Sequence, residues 1–147
     1  MSAALEILAV VRQWLDKAEG DLRAAVQILK MREDCPYETV GFHAQQCAEK
    51  HLKALLVLLE IHFPKTHDLT SLLAKMPPTL NMQALSRSAL ELTPYAAEAR
   101  YPGDWETLNR SDALRAVRHA RDIRKAVRAK LPRSVIQKDS TSRRRRS

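Results

Sequence analysis

The stretch from Phe42 to Leu73 reads FHAQQCAEKHLKALLVLLEIHFPKTHDLTSLL. It holds two helical segments that meet across a proline turn. Set at about 100° per residue, Phe42–Glu60 collects Ala44, Cys47, Ala48, Leu52, Ala54, Leu55, Leu58 and Leu59 on one face. Gln45, Gln46, Glu49, Lys50, Lys53 and Glu60 fall on the other. Gln46 and Lys50 are neighbours at i,i+4, so the polar face is a close run of donors and acceptors.

Working towards the N-terminus, Ile7, Val11, Trp14, Ala18, Leu22, Ala25 and Leu29 recur at spacings of three and four. They predict one long amphipathic helix from about Ala4 to Lys30. Gly20 interrupts it at about 1 kcal/mol relative to alanine. Asp34-Cys35-Pro36 breaks the chain, and a second helix runs to about Ile61, ahead of Phe63-Pro64. Thr66 is the expected N-cap of a short third helix, which Pro77-Pro78 ends. Leu80 to Leu92 is expected as a fourth helix, restarted or kinked at Thr93-Pro94 and stopped at Tyr101-Pro102-Gly103. The fifth begins near Arg110–Ser111, with Ser111 or Asn109 as cap, and Pro132 closes it after Leu131. The expected fold is therefore all-α: an antiparallel up-and-down bundle of four long helices plus a short one. No period of 20 to 50 residues repeats, which argues against a solenoid.

The chain of 147 residues suffices for one domain with one core, and its three glycines and low aromatic content favour helix over sheet. The longest apolar run, Ala54–Leu59, is far too short to span a bilayer. The N-terminus interleaves Glu6, Arg12 and Asp16 among apolar residues and reads as helix rather than signal peptide. Cys35 and Cys47 belong to no paired motif and read as reduced thiols of a cytoplasmic protein. The net charge of +8 is uneven. Residues 132–147 carry Arg133, Lys138 and Arg143 to Arg146 against Asp139 alone, a net +5, leaving +3 for residues 1–131. The bundle is thus expected to occupy 1–131, with 132–147 a disordered basic tail. The folded part is only mildly basic, so the high isoelectric point is weak support for nucleic-acid binding by the domain itself.

Four segments, in order, resemble the HEPN family, the nucleotide-binding domain of higher eukaryotes and prokaryotes. They are QWLDKAEGDLRAAV, FHAQQCAEKHLKALL, FPKTHDLTSLL and LTPYAAEARYPG, and the likeness extends over roughly Trp14 to Leu131. His51 departs from it, standing where the family usually carries a small residue such as alanine. The resemblance implies a HEPN-like bundle, a homodimer paired through its helices, and a separately encoded minimal nucleotidyltransferase as partner, as in toxin–antitoxin pairs.

Three groups of residues are candidates for the site. Lys50 and Lys53 can direct two ammonium groups at one anion, with Gln46 offering a two-sided amide; the plainer reading is a solvated face with a Glu49–Lys53 ion pair. His67, beside Asp68 at a helix start, is placed to meet a phosphate or move a proton; the plainer reading is a cap and a turn. Arg100 can grip a phosphate bidentately and Tyr101 can cover a base or ribose; the plainer reading is a helix-end anchor. Gln46, Lys50, Lys53, His67, Arg100 and Tyr101 are together expected to make a non-catalytic site for an ATP-like nucleotide, with no further cofactor.

Many HEPN ribonucleases use Arg-x4-6-His on the late helices, and two copies across a dimer form a metal-independent site. No arginine in this chain precedes a histidine at that spacing; Arg115 stands only four positions before His119. A variant site at Arg115 and His119 would let arginine steady a phosphorane and histidine shuttle the 2′-hydroxyl proton, making the chain a ribonuclease toxin. A third reading is a scaffold, in which Arg118, Arg121, Lys125 and Arg128 form a basic ridge continuing into the tail. That ridge could lie along RNA or an acidic protein, although no interleaved aromatic stacks bases. His43, Cys47 and His51 at i, i+4, i+8 suggest a metal site, but no CxxC or HExxH accompanies them and none is assigned. Ser-His-Asp catalysis, paired catalytic carboxylates and phosphate-binding glycine loops find no support.

Overall fold

The computed structural model describes residues 2–96 and 107–136. It is all-α, and its centre is the helix read from the Phe42 stretch. Helix α1 (Ala3–Ile28) and helix α2 (Tyr37–Leu58) pack along most of their lengths, and α5 (Arg110–Arg128) lies on another side of α2. Cross-helix pairs give the directions. Asp21, Glu19 and Trp14 descend α1 while their α2 partners Lys50, His51 and Lys53 ascend, so the two run antiparallel. Arg110 with Leu29, Arg124 with Glu19, and Arg12 with Ser134 show the same opposition between α1 and the last part of the chain.

Between them come α3 (Leu69–Ala74), two 3-10 turns (Pro78–Leu80 and Met82–Leu85), α4 (Ser86–Leu92) and a further 3-10 turn (Thr93–Ala96). The fourth long helix expected over Leu80 to Leu92 is therefore divided. Asn81 takes the left-handed conformation, φ 54°, which asparagine tolerates better than most residues, and the continuous helix begins only at Ser86. The cap of α3 also differs from expectation. Asp68 is the N-cap and accepts from the Thr70 amide; Thr66 instead accepts from the Asp68 amide, closing the turn before it. The Leu69 amide is satisfied from another element, by the Thr93 hydroxyl.

The remaining ends follow local chemistry. Asn109 caps α5 in a capping box with Asp112. The last turn of α2 closes with Ile61 N–H donating to Leu56 C=O and Glu60 N–H to Val57 C=O, a Schellman arrangement that holds Glu60 at φ 55°. Among the described residues, Gly41 is the glycine that a neighbour requires: a Cβ there would stand 3.1 Å from the Tyr95 ring. The helical path continues past Pro132, since Arg133–Ile136 forms a short α6 that buries Val135.

The core is formed by the apolar stripe of α1, the α5 residues Ala113, Ala116, Ala120, Ile123 and Val127, and α2 from both sides. α2 is enclosed far more completely than its pattern suggests. Gln45, Glu49 and Lys53, read from sequence as a polar outer face, are 0%, 3% and 7% exposed. No helix among the described residues is long and apolar enough to cross a membrane.

Candidate functional site

Because α2 is covered on both faces, its polar stripe becomes an internal network. Gln46 Nε2 donates to Gln45 Oε1 at 2.7 Å. Gln45 Nε2 donates in turn to Glu49 Oε1 at 3.2 Å and to the backbone carbonyl of His67 at 3.1 Å. Glu49 is the hub, meeting Lys53 Nζ at 3.2 Å and His67 Nδ1 at 2.8 Å. The Lys53 ammonium also lies 5.6 Å from the centroid of Trp14 and 5.8 Å from that of Phe63, within cation–π range of both. Burying a carboxylate and an ammonium is tolerated only when each is fully paired, and this arrangement provides the pairing. The Glu49–Lys53 pair anticipated at i,i+4 is present, as a buried pair rather than a solvated one.

The network opens to solvent at one residue. The His67 side chain is 68% exposed while its Nδ1 is held by the buried Glu49 carboxylate. That contact fixes the ring and directs Nε2 away from Glu49, where it can hydrogen-bond a ligand. Lys65 and His62, on the same loop, are exposed as well.

Lys50 is engaged elsewhere. Its Nζ meets Asp21 Oδ2 at 2.5 Å, and His43 Nδ1 meets Asp21 Oδ1 at 2.9 Å, so both bind α2 to α1. Of the six residues assigned from sequence, the structure links Gln46, Lys53 and His67 through Gln45 and Glu49, and places Lys50 in a separate cluster. Arg100 and Tyr101 lie outside the described residues. Gln45, Glu49 and Asp21 are the polar partners of these side chains; the sequence puts Gln45 and Glu49 on the polar face and pairs Glu49 with Lys53, but gives neither a place in the site and does not single out Asp21. The i,i+4 spacing of Gln45, Glu49 and Lys53 was the available signal, but the Trp14 and Phe63 rings that enclose it come from outside the helix.

Two further polar groups sit deeper. His51 is fully buried; its Nδ1 donates to the Cys47 carbonyl at 2.8 Å, and its Nε2 has no hydrogen-bond partner among the described residues. Glu19 Oε1 stands 3.7 Å from that Nε2 but is already bound by Arg124 at 2.6 Å and Arg128 at 3.0 Å. Burial pushes the His51 imidazole down to about 4, and burial together with the Glu19 and Asp21 charges pushes the Cys47 thiol up to about 12. His43 is engaged by Asp21, whereas Cys47 and His51 meet each other: the Cys47 Sγ lies 3.6 Å from the same His51 Nδ1 that donates to the Cys47 carbonyl.

Between α4 and α5, His119 Nδ1 lies 2.8 Å from Ser88 Oγ and Nε2 lies 2.5 Å from Glu91 Oε2. The Arg87 and His119 hydrogen bonds hold the Glu91 carboxyl below its ordinary value. This brings together serine, histidine and carboxylate, a grouping the sequence did not suggest. Ser88 is buried and stands within α4, so the arrangement joins two helices. Arg115 turns to Asp112 at 2.7 Å, away from this cluster. The basic ridge foreseen on α5 is also interrupted, because Arg128 faces inward to Glu19.

The HEPN domain family matches residues 11–130. No curated protein matches the chain. Among solved structures the chain is similar to TT1696 from Thermus thermophilus, at 30% identity over 82% of this chain and 98% of that one, with a TM-score of 0.71. It is similar also to ST0689, an archaeal HEPN homologue, at 26% identity over 82% of this chain and 96% of that one, with a TM-score of 0.62. The residues matched by the family run from α1 through the enclosed α2 to the end of α5, and the chain belongs to the HEPN domain family.

Proposed function

We propose that this HEPN protein binds the phosphate of a nucleotide or nucleic acid without turning it over, and acts beside a separate partner such as a minimal nucleotidyltransferase. The observation that carries the reading is the exposed His67 ring held by a buried carboxylate. A surface histidine needs no such support. Fixing its ring orientation at the expense of burying Glu49 and Lys53 is the arrangement of a side chain that must meet something. Lys53 acts here through Glu49, as a positioning residue. Lys50 and Gln46 stiffen the helix that carries them. Lys65 is an exposed neighbouring cation, and Arg100 with Tyr101, which lie outside the described residues, are proposed from the sequence to complete the ligand set.

The non-catalytic half of the reading is supported by the missing Arg-x4-6-His spacing and by the engagements of the nearest substitutes. Arg115 is paired with Asp112, and His119 is held between Ser88 and Glu91. As a ribonuclease pair they would have to leave these partners together.

Calorimetric titration of ATP into the full chain at physiological salt tests the proposal. Micromolar heat that disappears in His67→Ala and Arg100→Ala, and weakens in Lys53→Met, is the expected result. Silence at millimolar ATP would remove the nucleotide site. RNA cleavage by the wild type that is abolished by Arg115→Ala and by His119→Ala would replace the reading with the ribonuclease one.

A further inference from the structure

A groove of about 420 Å³ runs between the C-terminal turns of α1 and the first three turns of α5. Its floor is aliphatic: Val26 and Leu29 from α1, Leu114 and Val117 from α5. Leu114 is 43% exposed, one of the few large apolar side chains left open on the described surface. The rim is cationic, with Lys30 on one side and Arg110, Arg118 and Arg121 on the other.

The distribution of counter-charges on α5 decides what such a groove can hold. Arg115, Arg124 and Arg128 are all neutralised within the chain, by Asp112 and Glu19. Among the described residues, Lys30, Arg118 and Arg121 have no carboxylate within ion-pair distance, and Arg110 bonds only the Leu29 carbonyl. Of the α5 cations, Arg115, Arg124 and Arg128 are thus paired, while Arg118 and Arg121 beside the aliphatic floor, like Lys125 farther along the helix, are exposed and carry no ion pair among the described residues. An apolar floor between unpaired cations is complementary to an apolar stripe flanked by carboxylates.

We infer that this groove docks an acidic amphipathic helix of the partner protein. Arg110 to Arg121 spans about 16 Å along α5, the length of a three-turn helix. Apolar residues at i, i+3/i+4 and i+7 of such a helix cover Leu114 and Val117, and flanking glutamates or aspartates reach Arg118, Arg121 and Lys30. Two other occupants fit less well. RNA would use the rim but leave the aliphatic floor uncovered. A second copy paired face to face would set rim cation against rim cation.

The inference rests on the partner half of the proposed function and is independent of its nucleotide half. The probe is a fluorescein-labelled, helix-stabilised peptide about 14 residues long, with leucines at heptad spacing and glutamates flanking them. Its control is a peptide of identical composition with the spacing scrambled. Fluorescence anisotropy with the full chain should show binding at least about tenfold tighter for the amphipathic peptide, weakened about tenfold or more by Arg118→Glu/Arg121→Glu, by Leu114→Asn, and by raising salt to about 0.5 M. Methyl resonances of Val26, Leu29, Leu114 and Val117 should shift on titration. All three substituted side chains are exposed, and unchanged helicity and ATP heat in the variants keep loss of binding attributable to the groove. Equal binding of the scrambled peptide, binding unaffected by Arg118→Glu/Arg121→Glu, or methyl shifts elsewhere would each overturn the inference. So would a self-association that Leu114→Asn abolishes, since the groove would then belong to a second copy. If the peptide binds while ATP does not, the nucleotide reading fails alone; if ATP binds while the peptide does not, the groove fails alone.

Discussion

His51 shows most directly how a single side chain in this core resists protonation. One ring nitrogen donates to the Cys47 carbonyl, and the other has no hydrogen-bond partner among the described residues although Glu19 lies 3.7 Å away. The carboxylate cannot draw a proton onto the ring because Arg124 and Arg128 already satisfy it. Burial alone would raise the Glu19 carboxyl, yet the Arg124 hydrogen bond and the charges of Arg128 and Arg124 outweigh burial and keep it below its ordinary value. The folded-state pKa of His51 is about 4, against an ordinary value of 6.5. Above pH 6.5 neither folded nor unfolded His51 holds the second proton, and its effect on stability is nil. Between 6.5 and 4 the unfolded chain takes up a proton that the folded chain refuses, so stability falls as pH falls. The full loss is about 3 kcal/mol. Urea unfolding at about pH 7, 5.5 and 4.5 should show this decline, and His51→Leu, which keeps the volume and removes the titration, should flatten it. A wild-type slope unchanged in His51→Leu would assign the acid sensitivity to other groups.

Among the elements, α1 and α5 are legible in the sequence, with starts within a residue and ends overrun by two and three residues, because each has one buried stripe and one wet face. α2 was legible as a helix and illegible as an environment. Its periodicity separates apolar from polar residues, but only the positions of Trp14, Phe63 and His67 make the polar side internal. The division of α4 is not legible in the sequence for a local reason: Asn81 carries no sign of its left-handed turn beyond being asparagine, and Pro78 and Pro94 flank a segment whose apolar spacing reads as continuous. Two substitutions test whether the helices obey intrinsic propensity where tertiary contacts are silent. A Cβ at Gly20 meets nothing within 4 Å, so Gly20→Ala should stabilise the protein by about 0.5–1 kcal/mol. Asn109→Ala removes one half of the α5 capping box and should destabilise by about 1 kcal/mol. Chemical denaturation of both variants reads the two values, and opposite signs are the expected outcome. A destabilised Gly20→Ala would show that a neighbour of α1 closes over that position in solution.

At the scale of the whole molecule, the helices differ in how firmly they are held. α2 is enclosed by α1, α5, α3 and the 93–96 turn, and nearly every residue from Ala44 to Leu56 is buried or bonded. Its amides can exchange only when the bundle opens as a whole. α4 has seven residues, a 3-10 turn at either end, and Leu90 67% exposed. It packs on α3 and α5 through a small apolar face, with His119 tying Ser88 and Glu91 to α5. Regions with few buried contacts open below the global free energy, so α4 should exchange through a sub-global opening that leaves α1, α2 and α5 intact. His119→Ala removes both hydrogen bonds and leaves Ser88 buried without its partner, a loss of about 1–3 kcal/mol confined to that opening. Native-state hydrogen exchange should therefore show α4 protection falling in His119→Ala while α2 protection is unchanged up to the point where the global transition overtakes it. The same experiment bears on function. If α4 opens alone, the site at His67 stays assembled on α2 with the Thr93 hydroxyl as its link to the opening segment, since Thr93 accepts from the Leu69 amide and donates to the Ala89 carbonyl. Equal loss of protection in α2 and α4 would mean that the serine–histidine–glutamate contact supports the whole bundle, and that the His67 site and the α4–α5 junction rise and fall together.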